Sequence, residues 1–144
     1  MKEVADKKII LAIELKEEGI EKETLEIIDK YYNRENIFIT SFIYNSLSNI
    51  RKLDKNIKIG WLIKEDINEI NILKLNKIFG NQICPPANLV SKDGIKLARK
   101  NKLSVRLWGV LNEEIMEKVY KLDIDGMTVN FPDKLNKLIN NKII

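Results

Sequence analysis

Two residues that could do chemistry follow one of the apolar runs in the chain. Glu14 and Lys16 come after Ile9–Ile13 and are two residues apart, so in a strand their side chains would point to the same side. A carboxylate in that place could bind a hard divalent cation, and the lysine beside it could contact a phosphate oxygen. An ordinary salt bridge at a strand end has the same spacing, and spacing alone favours the salt bridge.

The residues that the chain lacks exclude several mechanisms. Histidine is absent from all 144 residues, so this chain by itself cannot use an imidazole as an acid, a base or a metal ligand. Cys84 is the only cysteine, which excludes a disulfide within the chain and a cysteine-based metal cluster. Its apolar neighbour Ile83 favours a small buried side chain over a nucleophile.

The charges are balanced and interleaved. Lysine and arginine number 25 against 21 aspartates and glutamates, and clusters such as Lys16–Glu18 mix both signs, which is typical of solvated helix faces rather than of a nucleic-acid-binding stripe. The longest apolar run, Ile9–Ile13, is far shorter than the roughly 20 residues of a membrane-spanning helix, and the chain does not open with the basic and apolar regions that are typical of a signal peptide. We therefore expect a cytoplasmic protein with no membrane span and no nucleic-acid partner.

The elements that must position these residues alternate between strands and helices. Six short apolar runs predict strands at Ile9–Leu15, Ile37–Phe42, Ile57–Ile63, Asn81–Cys84, Leu103–Val110 and Ile124–Val129. Amphipathic spacing predicts helices at Glu21–Tyr32, Tyr44–Leu53, Ser91–Lys100, Glu113–Leu122 and Pro132–Ile139. Continuously apolar strands indicate a parallel sheet covered by helices, so we expect one α/β domain over residues 1–144.

Finer expectations concern the helix faces and the sheet. The first helix should bury a broad face made of Leu25, Ile27, Ile28, Tyr31 and Tyr32. Ser91 is placed to be an N-cap. Periodicity leaves two architectures open, a doubly wound sheet and an incomplete (β/α)8 barrel. The turn after the first strand, Glu14–Gly19, is acidic and lacks the glycine-rich phosphate cradle of a dinucleotide-binding fold.

Five segments together resemble the glycerophosphodiester phosphodiesterase family. They occur in the family's order, at close to its spacing, and cover essentially the whole chain. Ile13–Lys16 resembles the family's "IEIK" strand, Ile37–Phe42 its "SF" strand, Gly60–Leu62 its "G-x-L" strand, Val105–Val110 its "VWTV" strand, and Ile124–Pro132 its "VDGIITDFP" segment.

The resemblance implies a fold and a reaction. The family fold is a (β/α)8 TIM-type barrel, of which this chain would supply strands three to eight, with Met1–Lys8 in the helix before strand three. The family hydrolyses glycerophosphodiesters to glycerol 3-phosphate and an alcohol with a divalent cation, Ca²⁺ or Mg²⁺. Its two histidines and two further acidic ligands lie in "HRG", "HD" and "E-x-D" motifs of the N-terminal part. This sequence contains none of the three motifs.

The resemblance also assigns roles to individual residues. Glu14 matches the family's metal-binding glutamate, Lys16 its phosphate-contacting lysine, and Trp108 a tryptophan near the substrate pocket, although an indole in the core is an equal alternative. The sequence departs from the family's threonine, asparagine and aspartate at Gly109, Leu111 and Asn130. With one carboxylate and no histidine, we expect weak or absent metal binding, no catalytic residue in this chain and negligible activity.

Three hypotheses follow. The first is a truncated or split phosphodiesterase that is inactive by itself. The second is a non-catalytic barrel fragment or scaffold whose open edge forms a homo-oligomer or pairs with a complementary N-terminal fragment. The third is an intact doubly wound sheet that binds a small anionic ligand near Lys16.

Overall fold

A computed structural model describes residues 9–142 of the chain, and in them strands and helices alternate. The strands are β1 (Leu11–Glu14), β2 (Ile37–Ser41), β3 (Lys58–Leu62), β4 (Gln82–Cys84), β5 (Ser104–Val110) and β6 (Gly126–Val129). The helices are α1 (Glu21–Tyr31), α2 (Tyr44–Leu53), α3 (Glu69–Lys77), α4 (Lys92–Lys100), α5 (Glu113–Tyr120) and α6 (Pro132–Lys142). All predicted strands and helices are confirmed, with ends that differ by a few residues. The placement of Met1–Lys8 in a helix lies outside the described residues.

Helix α3 is the element that the sequence pattern missed. Its apolar residues do not form one stripe, because Ile70 and Leu73 are exposed while Asn71 is buried. The Asn71 amide donates to the carbonyl oxygen of Asp66 at 3.2 Å and accepts from the backbone N–H of Asn68 at 3.0 Å. A buried amide with these partners replaces an apolar residue on the inner face of the helix.

The described chain forms two compact units. The first contains residues 9–62 and 73–82, and its strands β1, β2 and β3 pair in parallel, with Glu14 opposite Thr40 and Thr40 opposite Gly60. Here the strands lie in chain order. The reversal of strand order that a doubly wound sheet requires is therefore absent from this unit.

The core of the first unit lies between its strands and α1 and α2. Ile37, Ile39 and Ile59 are fully buried and alternate with residues of the other face. Leu25 and Ile28 of α1 are buried, but Ile27 is 50% exposed. The prediction that Ile27 and Tyr31 belong to the buried face was wrong, because that face is centred on the i, i+3 pair of Leu25 and Ile28.

The second unit contains residues 63–72 and 83–142. Its strands β5 and β6 pair in parallel, with an irregular register between Leu107 and Val110, where Gly109 has a φ of 72°. The predicted N-cap is confirmed, since Ser91 Oγ accepts from the backbone N–H of Gly94 at 3.0 Å. The α/β class and the parallel strands are thus confirmed, whereas one domain over 1–144 stays a prediction. None of the helices within residues 9–142 combines the length and the hydrophobicity of a membrane span.

Candidate functional site

Glu14 is the last residue of β1, and its neighbours across the sheet are small or neutral. In the parallel register it lies beside Thr40, which lies beside Gly60, and paired residues of neighbouring strands point to the same face. Gly60 leaves little space, because a Cβ there would lie 3.2 Å from Thr40 Cγ2 and 3.3 Å from Gln82 Oε1. Thr40 and Gln82 are buried while Glu14 is exposed. The carboxylate therefore stands at the rim of a tightly packed row of neutral groups.

Lys16 lies two residues beyond the end of β1, on a segment held by Leu15. The backbone N–H of Leu15 donates to the carbonyl oxygen of Thr40 at 2.8 Å, and the hydroxyl of Ser41 donates to the carbonyl oxygen of Leu15 at 2.6 Å. Leu15 is 2% exposed, whereas Glu14 and Lys16 on either side of it are exposed. This alternation is what places the two charged side chains away from the core.

The structure does not contain a salt bridge between Glu14 and Lys16. Among residues 9–142, the ion pairs within 4.0 Å join other residues. Glu14 and Lys16 are thus brought close together by sequence and exposed together, without a direct pair between them.

A divalent cation does not fit the residues around Glu14. In the described part of the chain, no group of three or more histidine, cysteine, aspartate or glutamate residues could hold a metal ion. Thr40 is the neighbour of Glu14 on the next strand, and Gly60 lies one strand farther away. Hard cations take about six to eight oxygen ligands, of which carboxylates supply most of the charge. One carboxylate is too few, so any ion at this place would need ligands from outside these residues.

Trp108 belongs to the second unit and is fixed at both its backbone and its ring. Its backbone N–H donates to the carbonyl oxygen of Pro85 at 3.2 Å, and its carbonyl oxygen accepts from Ala87 at 2.9 Å. The indole Nε1–H donates to the carbonyl oxygen of Ile63 at 3.0 Å. A ligand would therefore meet the ring rather than the indole N–H. The half-buried ring suits both a pocket wall and a packed indole.

Cys84 is buried at the end of β4, as the sequence predicted. Burial raises the pKa of its thiol to about 11, and the nearby Arg106 opposes this only in part. A thiol that stays protonated and has no access to solvent is a poor nucleophile. Cys84 is thus a small core side chain.

Arg106 is a candidate that the sequence analysis missed. It lies on β5, two residues before Trp108, so the two side chains point to the same side of the strand. The guanidinium donates to Thr128 Oγ1 at 2.7 Å and lies beside Cys84. The only sequence signal was a charge inside the apolar run Leu103–Val110, which could equally have marked an exposed strand face.

Comparison with known proteins gives consistent matches. The chain matches the model of the glycerophosphoryl diester phosphodiesterase family over residues 4–134. A glycerophosphodiester phosphodiesterase of Caldanaerobacter subterraneus subsp. tengcongensis is 27% identical over 148 residues, covering 94% of this chain and 58% of the relative. The chain thus spans little more than half the length of that relative.

Solved structures show the same fold. A phosphodiesterase from Oleispira antarctica, solved in complex with the product sn-glycerol-3-phosphate, superposes with a TM-score of 0.82 at 19% identity, over 92% of this chain and 56% of that one. A glycerophosphodiester phosphodiesterase from Parabacteroides distasonis gives a TM-score of 0.81 at 15% identity, over 96% and 60%. Together with the family match over most of its length, this places the chain in the glycerophosphoryl diester phosphodiesterase family.

Proposed function

We propose that this chain supplies strands three to eight of a glycerophosphodiester phosphodiesterase-like barrel and that it does not hydrolyse phosphodiesters by itself. The observation that carries the proposal is the absence of histidine from all 144 residues of a chain that belongs to this family. General acid and base catalysis are each typically worth about 10²–10⁴ in rate. If the acid and the base are histidines, as the resemblance to the family implies, both would come from residues outside this chain.

Three residues of this chain would serve a completed site. Lys16 would contact a phosphate oxygen of the glycerophosphodiester as a point charge. Glu14 would be one ligand of a divalent cation whose other ligands come from outside this chain. The ring of Trp108 would line the substrate pocket. The exposure of Glu14 and Lys16, and the indole N–H already bound to Ile63, support these roles.

The test is hydrolysis of glycerophosphocholine with added Ca²⁺ or Mg²⁺, comparing the purified chain with its Glu14→Ala variant. We expect no turnover above background from either. Adding a separately expressed segment that carries the two histidine motifs should restore turnover. The restored turnover should be lower with the Glu14→Ala variant than with the unchanged chain. Turnover by the chain without any addition, lost in Glu14→Ala, would show that a site exists without histidine and would overturn the proposal.

A second candidate function is that of a non-catalytic scaffold that pairs through β1. Ala12 is exposed on the face that it shares with Glu14, and Ile10, just before β1, is 64% exposed. Parallel strands are normally covered on both faces. β1 is also the first strand in the order of the sheet and pairs with β2, and the backbone of such an edge strand is a template for pairing with another chain. The partner would be a second copy of the chain or a complementary N-terminal fragment.

A further inference from the structure

Phe79 is a large apolar side chain that the fold holds in solvent. It follows the end of α3, is 77% exposed, and has a φ of 50°. Left-handed backbone is disfavoured for a residue with a Cβ, and this position after a helix is usually glycine or asparagine. A bulky aromatic residue here is unfavourable for the backbone and unfavourable for hydration. Such a combination points to a role for the side chain.

The backbone around Phe79 is fixed by several hydrogen bonds. The N–H of Phe79 donates to the carbonyl oxygen of Asn76 at 3.0 Å. The N–H of Gly80 donates to the carbonyl oxygen of Leu75, also at 3.0 Å. Arg51 of α2 donates to the carbonyl oxygens of Ile78 and Phe79, both at 3.1 Å. The backbone from which the aromatic ring projects is therefore held on both sides.

The neighbourhood of Phe79 in the first unit is apolar and basic. Leu73 is 62% exposed, and Lys77 lies four residues after it on the same face of α3. Lys74 is also exposed, whereas Leu75 and Ile78 point into the core. The segment Leu73–Gln82 contains two lysines and no acidic residue. The charged side chains of this segment are therefore both basic, and the nearest acidic residue of α3 is Glu69, one turn before Leu73.

We propose that Leu73, Lys74, Lys77 and Phe79 form a membrane-docking surface for anionic phospholipid. Basic residues beside phenylalanine and leucine are what a protein lying on a lipid interface presents, because the apolar side chains enter the headgroup boundary while the lysines reach the phosphates. An aromatic ring suits that boundary. Charge complementarity selects an anionic surface over a neutral one. This inference does not depend on catalysis by the chain.

The test is co-sedimentation with vesicles of phosphatidylserine and phosphatidylcholine, compared with vesicles of phosphatidylcholine alone. The first variant is Phe79→Gly, which removes the ring and suits the left-handed backbone. It should weaken binding about tenfold while the melting temperature stays equal or rises. Lys74→Gln with Lys77→Gln should weaken binding about 25-fold, at about fivefold for each lysine. Phe79→Asn, which also tolerates this conformation, is the second ring deletion.

Leu111→Ala is the matched control. Leu111 is 77% exposed, as Phe79 is, but it is followed closely by Glu113 and Glu114 rather than by lysines. This variant should bind the anionic vesicles as tightly as the unchanged chain. Equal binding to both vesicle types, or unchanged binding of both Phe79 variants, would overturn the proposal. The proposal would also be overturned if the Phe79 variants lost self-association while their vesicle binding stayed unchanged. The surface would then bind a second copy of the chain.

Discussion

Asp54 joins the end of α2 to the segment before β3 through both of its carboxylate oxygens. Oδ1 accepts from the backbone N–H groups of Asn56 at 2.6 Å and Ile57 at 3.0 Å, while Oδ2 pairs with Arg34, which also pairs with Asp29. Burial alone would raise the pKa of Asp54, but these hydrogen bonds and the guanidinium lower it below its ordinary value. The ionised form is therefore the one that the fold stabilises.

We expect Asp54→Ala to lower the free energy of unfolding by about 2 kcal/mol, because two N–H groups and a guanidinium lose a charged partner. A carboxyl whose pKa is lower in the folded state stabilises fully above its unfolded pKa of roughly 4 and loses that contribution as pH falls through the folded value. The difference between the variant and the unchanged chain should therefore be constant near neutral pH and shrink below about pH 4. Urea unfolding at several pH values measures it.

Asp93→Ala is the control for that measurement. The Asp93 side chain is 95% exposed and pairs with Lys96 at 3.5 Å. An exposed pair of this kind contributes about 0–1 kcal/mol. If Asp93→Ala costs as much as Asp54→Ala, the hydrogen bonds of Asp54 are not the cause of its effect.

How far single residues could be predicted depends on what fixes their surroundings. The common exposure of Glu14 and Lys16 follows from their two-residue spacing along a strand, which local sequence determines. Arg106 was missed because its contact with Thr128 depends on how β5 and β6 pair. Pairing between strands that lie about twenty residues apart leaves no mark in the local pattern.

At the scale of elements, α4 is docked onto the loop before α3 by one carboxylate and one glycine. Asp66 Oδ1 accepts from the backbone N–H groups of Ile67 at 2.8 Å and Ser91 at 3.0 Å. A Cβ at Gly94 would lie 2.7 Å from that oxygen and 3.1 Å from Ile67 Cβ. The helix can approach the loop this closely only because position 94 has no side chain.

Gly94→Ala should therefore lower the free energy of unfolding by about 1–3 kcal/mol, in spite of the better helix propensity of alanine. Thermal or urea unfolding measures the change. Gly126→Ala is the matched control, since a Cβ there would have Arg106 Cγ at 3.8 Å as its nearest neighbour. That variant should change stability by less than about 1 kcal/mol. Equal stability of the two variants would contradict the close-approach explanation.

The strands were predictable as elements because each is a short apolar run between charged or turn-forming residues. Helix α3 was not, because its inner face holds Asn71 and its outer face holds Leu73. Tertiary structure decides whether these two positions are buried or exposed. The Asn71 amide is hydrogen-bonded to Asp66 and Asn68, which come close to it only in the folded loop. Amphipathic patterns fail where a buried polar network replaces an apolar contact.

The whole molecule spans only part of the length of its relatives. The alignment with the Caldanaerobacter relative includes 94% of this chain but 58% of that protein. The number and class of elements were predictable from periodicity. The choice between a doubly wound sheet and a barrel was not, because it depends on strand order, and the family-like segments favoured the barrel.

The exposed β1 predicts that the purified chain self-associates. We expect sedimentation velocity to give a mass above the 16.8 kDa of the chain and Ile10→Lys to shift the distribution to monomer, because a charge beside the strand opposes edge pairing. Leu111→Lys is the control at an equally apolar exposed position. A monomer at all concentrations, for the unchanged chain, would exclude the homo-oligomer and leave the complementary fragment as the partner.

The burial of Cys84 has a consequence for the redox behaviour of the molecule. The sole thiol of the chain is fully buried and stays protonated, with a pKa of about 11. The native fold therefore offers an oxidant no accessible thiolate, and the chain has no second cysteine with which Cys84 could form a disulfide. Oxidation or alkylation of Cys84 requires that β4 first opens. The rate of thiol modification therefore measures how often that strand opens.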